Sequence, residues 1–380
     1  MDRLTVSLER TAYLDHAATT PVRPEVAAAM APFAADRFGN ASGSHRLARD
    51  ARTALDDARE TVAAVLGADP GDVIFTSGGT EADNLAVLGT LARSPGTVLT
   101  SAVEHAAILE PARAAARLGF PHLEAPVDGT GTVDLDRLAD LLGPEVALVS
   151  VMLANNEVGT VQPFDQVVAL VRRLAPQAVL HTDAVQAAAW LDLTTVDADL
   201  VSVSAHKLGG PKGAGALVAR VPVQPILHGG GQERERRSGT HDVAGAVGLA
   251  TALVLAVAER QTAAARVGAL RDRLADGLVA AGAVESVPRD RVLPGHCHLR
   301  FAGVDQEELL LLLDRDGVFA AAGSACASGA LEPSHVLLAM GVPAAEAKTA
   351  VRFTLGHTST AADVDRALAV VPAAVARLRA

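Results

Sequence analysis

Residues 179–207 read VLHTDAVQAAAWLDLTTVDADLVSVSAHK. Val179–Thr182 and Leu200–Ser204 are short apolar runs of strand length, rich in β-branched residues, and each gives way to polar ones. The first closes on His181-Thr182-Asp183-Ala184-Val185-Gln186. The second closes on Ser204-Ala205-His206-Lys207, with the glycine-rich Leu208-Gly209-Gly210-Pro211-Lys212-Gly213 behind it. Outward from this stretch the same texture recurs. Val73–Thr76, Val98–Ser101 and Val146–Val151 read as strands, and Ala82–Ala92, Ala106–Leu118 and Phe164–Leu174 read as helices between them. Apolar strands alternating with helices predict an α/β fold whose mostly parallel sheet is covered on both faces. In such sheets ligands sit beyond the carboxyl ends of the strands, and the polar motifs of this chain fall there.

After Thr240 the texture changes. Val243 to Ala280 reads as one or two long helices. Then come a strand at His296–Phe301, a helix at Gln306–Asp314, a Gly/Ser/Ala loop from Ala320 to Ala330, a strand at Ala350–Leu355 and a closing helix. Residues 15–255 are expected to form a large domain, and residues 1–14 with 256–380 a smaller one.

The composition narrows the function classes. The 380 residues are 49% apolar with mean hydropathy +0.26, ample for a core. Charges, Gly or Pro interrupt every apolar run before the ~20 residues of a membrane span. The opening MDRLTVSLER is charged and lacks the apolar stretch of a secretory signal, so the expected compartment is the cytoplasm. A net charge of −11 argues against a general grip on nucleic acid. The one basic run, Arg234 to Arg237, is diluted by Glu235 and reads as a solvated or ion-paired loop. With two cysteines, Cys297 and Cys326, a disulfide framework is not expected.

Four motifs carry chemistry. Ser77-Gly78-Gly79-Thr80-Glu81 lies between a strand and a helix, where glycines let an anion approach and helix N–H groups face it. A plain glycine turn with Thr80 as cap is the competing reading, and the motif matches neither the Walker pattern nor GxGxxG. Asp183 can pair with a protonated ring nitrogen or cap the next helix. Lys207, leaving a strand beside a glycine-rich loop, can form a Schiff base or stand at the surface. Phosphate cradle, aspartate and lysine at strand ends of one sheet are together the set that pyridoxal phosphate needs. The fourth motif, Gly323-Ser324-Ala325-Cys326-Ala327-Ser328-Gly329, surrounds a cysteine with small residues. It fits an accessible reactive thiol and a structural one about equally. His296-Cys297-His298 suggests a metal, but side chains alternate along a strand, so the three cannot chelate together and no metal is expected.

These residues resemble the cysteine desulfurases of the iron–sulfur-cluster and nitrogen-fixation type, in the class-V aminotransferase family of pyridoxal-phosphate fold-type I. The likeness runs through nearly the whole chain. Its landmarks are Tyr13 to Pro21 (YLDHAATTP), Phe75 to Asn84 (FTSGGTEADN), Glu104-His105, Ala154 to Gly159 (ANNEVG), His181 to Gln186, Ser204 to Lys207, Gly229 to Glu233 (GGGQE), Arg237 to Thr240 (RSGT), Gly323 to Cys326 and Leu331 to Leu337 (LEPSHVL). The last two look like the first of the family's two groups.

The resemblance implies a seven-stranded, mostly parallel sheet and a role for each matching residue. Lys207 would hold pyridoxal 5'-phosphate as a Schiff base, Asp183 would pair with its pyridine nitrogen, and Gln186 would bond its phenolic oxygen. His105 would stack on the ring and shuttle protons. Gly79, Thr80, Ser204 and His206 would hold the phosphate. Thr240 would reach the phosphate bound by the partner subunit, which implies a homodimer. Asn156 and Arg352 would bind the carboxylate of L-cysteine, and Cys326 would take its sulfur as a persulfide for an acceptor protein. Selenocysteine lyase activity on the same fold is the nearest rival, and a catalytically silent scaffold the rival of another class. Intact Lys207, Asp183, His105 and Cys326 argue against the scaffold. Two stretches depart from the family pattern. Gly39 to His45 lacks the usual proline and paired serines, and Glu233 to Ser238 carries charge where a glycine and an apolar residue are common.

Overall fold

The computed structural model describes residues 11–323 and 333–380. The chain opens with a short strand β1 (Ala12–Tyr13) and two helices, α1 (Pro24–Ala35) and α2 (Arg46–Leu66). Strands and helices then alternate: β2 (Val73–Thr76), α3 (Gly79–Arg93), β3 (Thr97–Ser101), α4 (Ala106–Arg117), β4 (His122–Ala125), α5 (Leu135–Leu141), β5 (Val146–Ser150), α6 (Phe164–Leu174) and β6 (Val179–Asp183). Strands β7 (Leu200–Ser204) and β8 (Gly215–Ala219) complete a seven-stranded sheet in the order β2-β8-β7-β6-β5-β3-β4. Only β8 runs against its neighbours. Every residue of β3, β5, β7 and β8 is buried. Accordingly none of the four carries a charged side chain, as expected of strands covered on both faces.

The sheet carries helices on both faces. One face packs with α2, α6 and the first half of α7 (Val243–Ala280); the other packs with α3 and α4. Helix α2 shows how the local sequence closes an element. His45 Nδ1 accepts from the Ala48 N–H at its start, and Gly67 ends it with φ +61. Helix α7 is single and 38 residues long, and by length and composition alone it could cross a membrane. It packs instead against α1 and α2, and half of its most apolar window is buried, the pattern of a core helix. Its buried residues up to Ala256 join the first core. From Val267 they join a second core with β10 (His296–Arg300), α8 (Gln306–Arg315), β12 (Ala350–Thr354) and α11 (Ala361–Leu378). There β12, β10 and β9 (Val284–Glu285) form an antiparallel sheet, and β1 pairs in parallel with β11 (Val318–Phe319).

Two sheet strands escape the sequence reading. Strand β4 (HLEA) is a half-exposed edge with no apolar run. Strand β8 follows directly on a glycine-rich loop and reads as its continuation.

The loop from β8 to α7 is fastened by a buried carboxylate. Glu233 is 5% exposed and accepts from Arg59 Nη1 and Nη2, both at 2.7 Å, and from the Phe75 N–H at 3.0 Å, with His241 Nε2 also at 3.0 Å. Burial works to raise its pKa, but His241 and Arg59 outweigh it and hold the group at about 2. Glu233, Arg234 and Glu235 all have positive φ, between 49° and 65°. Each such non-glycine residue costs roughly 1–2 kcal/mol, and a strained turn of this kind persists only where its surroundings over-determine it. Glu233→Gln should therefore destabilise the protein by about 3–5 kcal/mol at pH 7, because Arg59 loses its buried counter-charge. The urea midpoint would report it. The sign follows from the depressed pKa: the carboxylate's contribution is complete above the usual carboxylate range and is lost as pH falls toward 2. The gap between variant and wild type should narrow in that direction.

Candidate active site

A cavity of 340 Å³ opens beyond the carboxyl ends of β5, β6 and β7. Gly79, Thr80, His105, Asn156, Asp183, Gln186, Ser204, His206, Lys207 and Arg352 all line it. These residues span almost the whole chain, and the sheet's parallel register brings them to one place. Of the remaining candidates, Thr240 lies apart, in a neighbouring 190 Å³ cavity with Ser77, Arg237 and His241. Cys326 lies outside the described residues.

The anion end is built from backbone. Gly78, before α3, has φ +142, a conformation open to glycine alone. A Cβ on Gly79 would stand 2.8 Å from Val185 Cγ2, and one on Gly215 would stand 2.7 Å from the Cα of Gly78. The turn therefore lies flush on the sheet and presents the N-terminus of the 15-residue α3 to the cavity. Glu81 steadies the turn, accepting from the Ser77 N–H at 2.7 Å and pairing with Arg237 at 2.7 Å. Ser204 and His206 stand beside Gly79 and Thr80 in an adjoining opening that also holds Lys212. Burial, then Lys207 and Lys212, lower the His206 pKa to about 4, so its ring is a neutral hydrogen-bonding group.

Lys207 sits in a single turn after β7. Its Nζ donates to the carbonyls of Ala17 and Ala18. Gln186 Nε2 donates to the same Ala17 carbonyl at 2.8 Å, and Thr20 Oγ1 donates to the His206 carbonyl at 2.8 Å. The segment after β1 is thus laced across the cavity. Asp183, at the end of β6, is 6% exposed and accepts from the Val185 N–H at 2.8 Å. Burial raises its pKa, while the Val185 N–H, His105 and Lys207 draw it back. His105 caps α4, its Nδ1 accepting from the Ala107 N–H at 3.1 Å.

Arg352, 3% exposed on β12, donates from Nη1 to the Asn156 carbonyl at 2.9 Å and from Nη2 to Asp15 Oδ1 at 2.7 Å. Asp15 is a site residue the sequence reading passed over, although it stands inside the YLDHAATTP landmark. Two other buried carboxyls, Asp83 at the cavity edge and Glu104 beside His105, also stand inside landmark motifs, which gave them no role.

The histidines of β10 face away from Cys297, as strand alternation requires. Cys297 enters the second core, where burial pushes its thiol up to about 12. It is a structural thiol with almost no thiolate at neutral pH.

The cavity fits pyridoxal phosphate on the structure's own terms. An anion cradle that a Cβ would fill, a buried carboxylate and a lysine share one space. That is the donor set of a Schiff-base cofactor with a phosphate and a protonated ring nitrogen.

Comparison with known proteins agrees. Residues 12–367 match the class-V aminotransferase family. An "IscS-like cysteine desulfurase" of Mycobacterium tuberculosis is 46% identical over 385 residues, covering 97% of each chain. A solved "NifS-like protein" superposes with a TM-score of 0.91 at 36% identity, over 97% of this chain and all of that one. A structure titled "SspA in complex with cysteine" superposes with a TM-score of 0.80 at 30% identity, over 92% of this chain and all of that one.

Proposed function

The chain belongs to the class-V aminotransferase family and, within it, to the cysteine desulfurases; from that premise we propose that it takes sulfur from L-cysteine, releases L-alanine and holds the sulfur as a persulfide on Cys326. One observation carries the assignment of roles: ten residues singled out from the sequence, Lys207 among them, line one cavity.

Pyridoxal phosphate, when bound, supplies the electron sink for bonds made and broken at the substrate's Cα and Cβ. The chain's residues do the rest. Gly79, Thr80, Ser204 and His206 hold the phosphate, with the α3 dipole behind them. Asp183 Oδ holds the proton of the pyridine nitrogen by ion pairing. Gln186 bonds the phenolic oxygen and His105 stacks on the ring. Arg352 and Asn156 orient the substrate carboxylate; the ion pair between Arg352 and Asp15 fixes the guanidinium in place for it. Lys207 Nζ takes the proton from Cα and returns it, and His105 serves the protons nearer the ring. The Cys326 thiolate attacks the substrate's sulfur. An S–S bond forms as the Cβ–S bond breaks, and the electron pair stays with carbon, which takes up a proton to become alanine.

Residues 15–255 form the cofactor-binding domain in this reading, and residues 1–14 with 256–380 the smaller domain bearing Cys326. The change of core along α7 between Ala256 and Val267 supports it. The enzyme works as a homodimer in which Thr240 serves the partner's phosphate; its place in a cavity next to the lysine's, rather than inside it, supports that. The sulfur goes to an acceptor protein of cluster assembly or thiolation, in the cytoplasm, where thiols stay reduced.

The test is product analysis of the purified holoenzyme given L-cysteine and a reductant. Alanine and sulfide should appear in equal amounts. Pyruvate in place of alanine would mean a lyase of another kind. Turnover of selenocysteine alone, with none of cysteine, would favour the selenocysteine reading.

A further inference from the structure

At the floor of the cofactor cavity lies a buried polar cluster that the reaction does not use directly. Asp83, on α3, is 1% exposed, and its Oδ1 has no hydrogen-bond partner among the described residues. His181, on β6, is fully buried between two hydroxyls, with Nδ1 2.9 Å from Ser150 Oγ and Nε2 3.0 Å from Ser202 Oγ. Its Nε2 is 3.6 Å from Asp83 Oδ1. Glu104 is fully buried too. Its Oε1 accepts from Ser101 Oγ at 2.6 Å and from the Met152 N–H at 2.7 Å, while Oε2 has no partner among the described residues. Asp183 is the third carboxyl of this region.

Burial and mutual repulsion both disfavour a second and third anion among these carboxyl groups. The charge settles where donors and cations are. Asp183 has the Val185 N–H and faces Lys207 and His105. Asp83 has only the Ser202 hydroxyl to favour its charged form, and Asp183 and Glu104 oppose it. Of the other elements packed against α3, strands β2, β5, β7 and β8 bring no titratable side chain, and those of α4 (Glu110, Arg113 and Arg117) are exposed. His181 brings no charge, since burial lowers its pKa to about 3.

We propose that Asp83 and Glu104 are positioning residues, kept as neutral acids beneath the cofactor so that Asp183 alone carries the pocket's negative charge and delivers it to the pyridine nitrogen. The inference rests on the reading of Asp183 as the ring's partner. Burial raises Asp83 well above the usual carboxylate range, and it raises Glu104 to about 8. The wild type thus keeps two protons that the unfolded chain releases above pH ~4. A raised pKa of this kind weakens stability as pH climbs from the unfolded value to the folded one.

Asp83→Asn and Glu104→Gln copy the neutral acids without titrating. Each should equal the wild type in melting temperature near pH 4 and gain on it as pH rises, by about 2 °C or more at pH 7. For Glu104→Gln the gain should level off near pH 8. In the holoenzymes the visible spectrum of bound pyridoxal phosphate and its pH midpoint should stay within about 0.3 pH units of wild type, and cofactor affinity within about threefold. A gain that shrinks with rising pH, or a spectral midpoint moved by a whole unit, would overturn the proposal. Should either variant fail to fold, infrared spectra of the wild-type holoenzyme decide. Un-ionised carboxyl absorption at pH 7 is expected, and its absence refutes the idea. If instead the wild type takes up no pyridoxal phosphate, the reading of Asp183 fails, while the melting-temperature trends still judge Asp83 and Glu104 by themselves.

Discussion

Cys326→Ser should abolish both sulfide and alanine production from L-cysteine, by at least ~1000-fold, and leave the visible absorption of bound pyridoxal phosphate unchanged. Cys297→Ser should leave turnover within about twofold. The contrast follows from the burial of Cys297 and the role proposed for Cys326. With a pKa of about 12, Cys297 presents roughly one thiolate in ten thousand molecules at pH 8, and it is walled into the second core. The segment holding Cys326 begins at the cavity itself. Gly323 lines the cavity, and its carbonyl lies 3.4 Å from Arg352 Nη1. On the far side of that segment, Ser334 donates to Glu157 and His335 Nε2 lies 3.0 Å from the Glu104 carbonyl. Gly323, three residues before Cys326 in the sequence, is thus the last described residue ahead of the proposed nucleophile, and it borders the cavity. A serine hydroxyl at that position cannot form a persulfide and blocks the step that frees alanine. Sulfide that persists in Cys326→Ser would show that water or another nucleophile takes the sulfur, and the proposed role of Cys326 would fail.

How much of this was legible in the sequence depended on where each residue sits relative to a strand. Asp183, Ser204, His206 and Lys207 follow β6 and β7 directly, and both strands are buried on both faces, so the polar residues stood out against apolar runs. Gly79 and Thr80 were legible for the same reason, after β2. Arg352 lies mid-strand on β12, and only the family pattern marked it. Its partner Asp15 is 337 residues away, a separation no local pattern carries. Asp83 and Glu104 stood inside landmark motifs that gave them no role. Their burial comes from α3 packing on the sheet and from the loop after β3 bonding to Met152 and Asn155, which is tertiary information. Arg234 to Arg237 read as a solvated or ion-paired loop, and Arg237 does pair with Glu81, but the inward anchor is Glu233 just before the run, which holds Arg59. A charge run says nothing about which of its members turns inward.

Lys207→Ala should lower L-cysteine turnover by at least ~1000-fold and remove the visible absorption band of the covalently held cofactor. Lys207→Arg should fare no better, since a guanidinium stays protonated at neutral pH and cannot act as a base. Two functions are lost together. One is the proton carrier at Cα, whose Nζ leaves a buried strand at the base of the cavity. The other is the covalent hold on the cofactor, which only a tethered amine at this position can supply. The two separate on adding a small amine such as methylamine to Lys207→Ala. Base catalysis should recover in part, because the amine enters the space the side chain leaves and takes the proton. The covalent hold should not recover, because a free amine is not tethered to β7, and the residual deficit should appear as a weaker hold on pyridoxal phosphate and a raised KM. Full recovery of kcat and KM by amine would mean that Lys207 serves only as a base. No recovery, with pyridoxal phosphate still bound, would place the Cα proton transfer on another group, and His105 would be the first to replace.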